Sequence, residues 1–319
     1  MLNNNEDIEI RDNSELVLKE IIQSLSKSQK ELSCKFFYDE DGSKLFEQIS
    51  ELDEYYLTRT EISILNTNIK DISGAVGEDA LIVELGSGSS RKIRILLDNF
   101  KSIAAYFPVD ISKEFLLFSV EKLSKDYQDL KIVPIVADYT KPFTIPDHDI
   151  SFSKIVAYYP GSTIGNFTKE HACKFLKNIS GDCGKGSGLL IGIDLKKESE
   201  VLEKAYNDGK GVTAEFNLNI LKNMNSNFGT NFEINKWKHI AFYNEEHGRV
   251  EMHLQSLEDQ SVRVNGTSIT FKKDETIHTE NSYKYSIEEF EEMIEDFYSL
   301  KNVWSDPDNK FAVCYFEAK

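Results

Sequence analysis

Basic side chains are in short supply: 37 Lys and Arg stand against 54 Asp and Glu, a formal charge of −17. Gripping a phosphate backbone needs clustered cations, so a nucleic-acid partner is excluded. The acid excess suits solubility and a cationic ligand. Cysteine is sparse too. Cys34, Cys173, Cys183 and Cys314 show no C-x-x-C spacing, which excludes a disulfide frame and a thiolate zinc site and reads as reduced thiols in a cytoplasmic protein. The six histidines form no H-x-x-x-H pair, so no metal is expected. No apolar run reaches the roughly 18 residues of a membrane span. Met1 to Asp7 is polar and acidic, unlike a secretory signal. Without such a signal, the sequons at Asn166 and Asn178 are not expected to be glycosylated. Nothing in the sequence calls for an obligate protein partner. What remains is 319 residues with 40% apolar and 29% charged side chains, enough for one large or two modest domains.

Residues 1–12 read as a mobile tail, and a helical pattern of Leu18, Ile21, Ile22 and Leu25 begins near Asn13. A second helix follows Asp41-Gly42. Thr58 and Glu61 have the spacing of a capping box before Ile62, Leu65, Ile69 and Ile72. The texture then changes. Short apolar runs at 81–85, 106–110, 132–138, 154–159 and 189–194 alternate with helical stretches, and three of them end in Asp110, Asp138 and Asp194. That alternation predicts a parallel, doubly wound α/β sheet, whose ligands lie beyond the carboxyl ends of the strands. From Trp237 to Phe271 the alternation is antiparallel in character, with a turn at 245–248 and a hairpin signal at Asn265-Gly266. A last helix opens with the capping pair Ser286 and Glu289, and a strand over 310–316 ends the chain.

The sharpest generic motif is Glu84-Leu85-Gly86-Ser87-Gly88-Ser89-Ser90, a strand entering a glycine turn before a helix. Missing β-carbons let a ligand approach the backbone, and the helix N-terminus offers N–H groups. A P-loop would need Gly-Lys-Ser/Thr, which is absent, and a dinucleotide fingerprint would need glycine where Arg91 stands. S-adenosylmethionine needs only the first part, with acids such as Glu84 and Asp110 for its amino and ribose groups and Asp138 for its adenine. Asp39-Glu40-Asp41-Gly42 fails as a calcium loop, because Lys44 and Ser50 occupy required positions.

Taken together, Phe37-Tyr38-Asp39, Gly42-Ser43-x-Leu45-Phe46, Glu54-Tyr55-Tyr56-x-Thr58-Arg59-x-Glu61, the glycine turn, Gly161 to Asn166, Tyr206-Asn207-Asp208, Gly211 to Ala214, Glu251-Met252 and Glu280-x-Ser282 stand in a characteristic order. The chain resembles the S-adenosylmethionine-dependent histidine Nα-methyltransferases of ergothioneine biosynthesis from about residue 33 onward. The resemblance implies a Rossmann-like methyltransferase sheet (61–195 and 286–319) and a second, α+β substrate-binding domain (13–60 and 196–285). It implies cofactor contacts at Gly86, Lys92, Asp110, Asp138 and Tyr139. Tyr55, Gly161, Asn166 and Tyr206 would hold the amino and carboxylate end of histidine, Glu280 and Ser282 its imidazole, with Met252 near the ring. Tyr38 would handle the amine proton, and the product would be the trimethylated betaine hercynine. Two other classes stay open on sequence: a dinucleotide-dependent oxidoreductase, and a non-catalytic binding protein on the same fold. Within the resemblance, a tryptophan-like amine is the alternative substrate.

Overall fold

The computed structural model describes residues 4–88, 90–141, 145 and 149–319. Residues 1–3 of the expected tail, Ser89 of the glycine turn and His148 lie outside the described residues. In chain order the first elements are α1 (Asn4–Leu25), β1 (Lys30–Glu31), α2 (Glu40–Ser50), α3 (Tyr56–Val76), β2 (Ala80–Leu85) and α4 (Arg91–Asn99). Next come β3 (Ile103–Asp110), α5 (Lys113–Asp126), β4 (Ile135–Val136), β5 (Ile155–Tyr159), α6 (Lys169–Cys183) and β6 (Gly188–Asp194). Then follow α7 (Ser199–Tyr206), α8 (Val212–Phe228), β7 (Trp237–Asn244), β8 (Arg249–Ser256), β9 (Gln260–Val264) and β10 (Thr267–Phe271). The chain closes with β11 (Thr276–Tyr283), α9 (Ile287–Ile294), β12 (Tyr298–Ser305) and β13 (Phe311–Ala318). None of the described helices is long and apolar enough to cross a membrane.

The chain divides into two compact units. The first comprises Met1–Ile49, Glu203–Tyr243 and Val250–Glu280, and the second Ser50–Leu202, Asn244–Arg249 and Asn281–Lys319. Sequence reading put the first break at residue 60. The compact division comes eleven residues earlier, because α3 packs on β6 and β13 and belongs with the sheet.

In the second unit, seven strands lie in the order β4-β3-β2-β5-β6-β13-β12. The first five are mutually parallel, and β13 runs antiparallel to both β6 and β12. Numbered within the sheet alone, the order is 3-2-1-4-5-7-6, that of a Rossmann-like methyltransferase. Every residue of β2 and β6 is buried, as expected for strands covered on both faces. Strand order reverses between β2 and β5, so the carboxyl ends of these two strands flank the crevice where such sheets bind ligands.

The first unit holds a sheet of order β1-β11-β8-β7 and the separate hairpin β9-β10. Asn265 (φ 47°) and Gly266 (φ 82°) form its turn, and Val264 pairs with Thr267 across it. Positive φ at both positions is what a type I′ turn demands, which is why Asn-Gly announced it. Helix α8 is fastened by buried asparagines. Asn223 Nδ2 donates to Phe36 O at 2.6 Å, and Asn217 Nδ2 to His253 O at 3.0 Å.

Some local expectations change. Helix α1 opens at Asn4, not near Asn13. The run 132–138 keeps only two residues of regular strand plus a bridge from Ile132 to Tyr106. Ser286 and Glu289 do cap α9 reciprocally, whereas Thr58 and Glu61 lie buried inside α3 and cap nothing. Glu61 has been recruited elsewhere.

Candidate active site

The glycine turn follows β2 directly. Gly86 has φ 76° and Gly88 φ 47°, in the region open to glycine at least cost. The N–H groups of Gly86 and Ser87 both bond to Val109 O, and Gly88 N–H donates to Asp110 Oδ2 at 3.3 Å. Asp110 Oδ1 also accepts the Ser112 N–H at 2.9 Å. Burial raises the Asp110 carboxyl above its usual range against the pull of these N–H donors. A β-carbon on Gly86 would stand 3.4 Å from Tyr139 Oη, so the tyrosine lies directly over the turn. Its ring packs edge-on against Tyr159 at 5.8 Å. Asp138, next to it, accepts from the Thr140 N–H at 3.1 Å. The hydroxyls of Ser87 and Ser90 are buried and find no partner among the described residues. Buried hydroxyls normally have partners, and two orphans at a glycine turn fit a polar ligand seated there. Glu84 precedes the glycine turn on β2. Its carboxyl is buried and accepts from the Tyr106 hydroxyl, and burial pushes its pKa up to about 8, so it holds its proton at neutral pH.

Lys92, in α4, ties this turn to the next motif. Its Nζ lies 2.5 Å from Glu61 Oε2. The two oxygens of Glu61 also accept the Gly161 N–H, at 3.1 and 2.9 Å. A β-carbon on Gly161 would come within 3.2 Å of Lys92 Nζ. Glu61 is 1% exposed, and Gly192 makes room for it: a β-carbon there would lie 2.2 Å from Glu61 Oε1.

Beyond β5 the chain turns through Gly161 (φ 83°) and Ser162 (φ 56°) into a single helical turn, Thr163–Asn166. That turn is seated on the end of β11, where a β-carbon on Gly165 would lie 2.8 Å from Tyr283 O. The same β-carbon would lie 3.6 Å from the Ser282 carbonyl carbon, so Gly165 and Ser282 are neighbours within the second unit. Ser282 Oγ accepts from Lys284 Nζ at 2.7 Å, and the same ammonium is 2.7 Å from Asp194 Oδ2. Asp194, at the end of β6, also accepts from the Tyr56 hydroxyl at 2.8 and 2.9 Å and from Lys197 Nζ at 2.6 Å. Its N–H donates to Ser162 Oγ at 2.8 Å. Burial lowers the Lys197 ammonium to about 8 despite Asp194. Tyr55, buried beside Tyr56, opens α3. Sequence reading gave no site role to Glu61, Asp194, Lys197 or Lys284, although Asp194 stood out as a strand-end acid and Glu61 belongs to one of the motifs that carry the resemblance.

The remaining expected residues lie in the first unit. The Tyr38 ring meets Phe46 and Phe216 edge-on, each at 5.9 Å. Tyr206 O lies 2.9 Å from His239 Nε2, while His239 Nδ1 lies 2.8 Å from Asn217 Nδ2. Burial keeps the pKa of this imidazole low, so Nδ1 accepts and Nε2–H donates. Met252 is buried on β8, and its carbonyl accepts from Thr279 Oγ1 at 3.0 Å. Glu280 is half-buried on β11. In the same unit Glu251, His253 and His278 bring one ligand atom each within 4.8 Å of one another. A metal lies near the plane of every imidazole that binds it. The two rings stack 4.6 Å apart at 12°, so their planes are nearly parallel.

Compared with known proteins, residues 17–318 match the family profile described as histidine-specific methyltransferase, SAM-dependent. The chain is 34% identical to the histidine N-alpha-methyltransferase of Mycolicibacterium smegmatis, over 94% of each chain. It is 36% identical to the enzyme of that name from Mycobacterium tuberculosis, over 84% of each. It also shares 33% identity with ergothioneine biosynthesis protein 1 of Neurospora crassa, over 88% of this chain and 32% of that protein. With the sheet order and the paired turns described above, these matches make the chain a member of the family of S-adenosylmethionine-dependent, histidine-specific methyltransferases.

Proposed function

We propose that the protein methylates the α-amine of L-histidine three times, giving Nα,Nα,Nα-trimethylhistidine. The observation that carries this reading is the meeting of two motifs in one unit: Lys92, in the helix after the glycine turn, lies against Gly161, which opens the turn to Asn166. S-adenosylmethionine supplies the electrophilic methyl carbon. Gly86, Lys92, Asp110, Asp138 and Tyr139 would hold it: the acids suit its hydroxyl and amino groups, and the tyrosine ring suits its adenine face.

In this reading Tyr55, Gly161, Asn166 and Tyr206 fix the amino-acid head, and Met252 packs near the ring. Glu280 and Ser282 address the imidazole, a carboxylate and a hydroxyl facing a ring with nitrogens at both edges. Desolvated readers of this kind reject side chains that cannot pair with them. Methyl transfer is an in-line displacement, so the protein's work is positioning and exclusion of water. The attacking amine must be neutral. Tyr38 takes that proton, directly or through water, and its ring face tolerates the growing cation.

A calorimetric screen of the twenty amino acids with S-adenosylhomocysteine present tests the reading, alongside mass spectrometry of the product. Histidine should bind at least about tenfold tighter than any other and gain up to three methyl groups. A preference for tryptophan, or tight binding of NADH in place of S-adenosylhomocysteine, would overturn it. In the same assay Y38F should lose rate most at low pH, where the amine is most protonated. Full kcat across the pH range would remove Tyr38 from the proton's path.

A further inference from the structure

Helix α7 ends at Tyr206, and the last carbonyls of a helix have no partner within it. The Tyr206 carbonyl meets a side chain of β7: His239 Nε2 lies 2.9 Å from it. The other ring nitrogen, Nδ1, lies 2.8 Å from Asn217 Nδ2. Asn217 is fully buried on α8, and two neighbouring strands settle which way its amide points. Its Nδ2 meets the His253 carbonyl of β8 at 3.0 Å, and a carbonyl can only accept. Its Oδ1 accepts from Thr279 Oγ1 of β11 at 2.7 Å. An amide nitrogen donates and does not accept, so His239 Nδ1 carries the lone pair and Nε2 the proton. The relay runs one way, from Asn217 through the imidazole to the Tyr206 carbonyl. Asn207 adds a second tie to the same strand, its Nδ2 donating to Ala241 O at 3.0 Å.

We propose that His239 is a positioning residue for the amino-acid head, fixing through its backbone the tyrosine that meets the substrate. The inference rests on the histidine reading above, in which Tyr206 holds that head, and deepens it. A tyrosine ring is stiff, so its hydroxyl is placed only as well as the backbone that carries it. A shift of about 1 Å in a group that orients a substrate is enough to be felt in turnover. Tyr206 stands where a helix gives way to a turn, and β7 supplies the hold that the helix no longer gives. His239 touches the tyrosine backbone and Asn217, and its part is to place Tyr206.

The test uses the full-length protein and two substitutions that each keep half of the imidazole's work. A glutamine side chain reaches as far as Nε2, so H239Q can still donate to the Tyr206 carbonyl. Asparagine is one carbon shorter and reaches only as far as Nδ1, so H239N keeps the Asn217 contact and releases Tyr206. KM for histidine should stay within about twofold of wild type in H239Q and rise about tenfold in H239N. In both, kcat and the KM for S-adenosylmethionine should change little. Equal rises in the two variants, a greater rise in H239Q, or an unchanged KM in H239N would overturn the proposal. Wild type carries a further test that needs no variant. Long-range proton–nitrogen NMR spectra should show the His239 ring neutral at neutral pH, with its proton on Nε2. A proton on Nδ1 would overturn the proposal even if neither variant folds. Should wild type fail to bind histidine at all, the functional reading falls and this inference with it. If wild type methylates histidine and H239N does so with the same KM, only this inference falls.

Discussion

Two ends of the same sheet treat buried carboxyl groups in opposite ways. At β2 and β3, Glu84 is matched with a tyrosine hydroxyl and keeps its proton to about pH 8, and Asp110 is met by backbone N–H groups. At β5 and β6, Glu61 and Asp194 are each bound to lysine. The difference follows the chemistry proposed for each end. A sulfonium cofactor brings its own positive charge, and Lys92, the one ammonium proposed to hold it, is already neutralised by Glu61. An amino acid brings a carboxylate and a ring that must be held in one pose, and fixed charges rigidify the turns that hold them. One end is built to receive charge, the other to lock geometry.

The comparison breaks most visibly at Asp194. D194N keeps the shape but leaves Lys197 and Lys284 buried without their anion. Loss of one partner from a buried pair costs about 3–5 kcal/mol, so denaturant unfolding should show a drop of that order. An uncompensated buried lysine has its pKa pushed below the unfolded value near 10.4. The unfolded chain then binds more protons, so the deficit of D194N should shrink as pH rises from 7 toward 9. A deficit independent of pH would mean that the lysines are not what Asp194 supports.

The two ends also differ in how readily they are read from the chain. The glycine turn, Asp110 and Tyr139 belong to a contiguous strand–turn–helix or lie at strand ends, so local pattern exposes them. Likewise the Asn265-Gly266 hairpin and the Ser286 cap are short-range devices, and both form. The lock at β5 and β6 is assembled from partners distant in sequence. Glu61 mimics a capping residue, since its spacing from Thr58 is right, but α3 starts two residues before Thr58 and frees the carboxylate for Gly161 and Lys92. Lys284 stands between Tyr283 and Tyr285 in an alternating stretch, where a lysine ordinarily faces water. Only the tertiary position of Asp194 explains its burial.

A smaller effect is expected at Gly192. A methyl group there would collide with Glu61 Oε1 and stand 3.0 Å from the Phe311 ring. G192A should cost about 1–3 kcal/mol through overpacking and loss of the acceptor for the Gly161 N–H. Because Glu61 also holds Lys92, KM for S-adenosylmethionine should rise by several fold. Gly74 provides the contrast: its β-carbon would meet nothing within 4 Å, and it lies within α3. G74A should be neutral or stabilising by up to about 1 kcal/mol. Equal losses for both would show that α3 responds to any added bulk and that Glu61 has no special place.

The sharpest test of the difference between the ends concerns Glu84. Glutamine retains an oxygen to accept the Tyr106 hydroxyl and cannot ionise. In the unfolded chain a glutamate loses its proton near pH 4.5, whereas burial holds the Glu84 proton to about 8. Between those values the folded protein binds a proton that the unfolded chain has released, so the contribution of Glu84 to stability falls as pH rises. The decline is at most about 1.4 kcal/mol per pH unit, and it levels off above the folded pKa. E84Q lacks that decline. Its Tm should match that of the wild type near pH 5 and exceed it increasingly toward pH 8. A constant offset across this range would mean that Glu84 is ionised in the fold, and that the glycine-turn end carries a paired anion as the other end does.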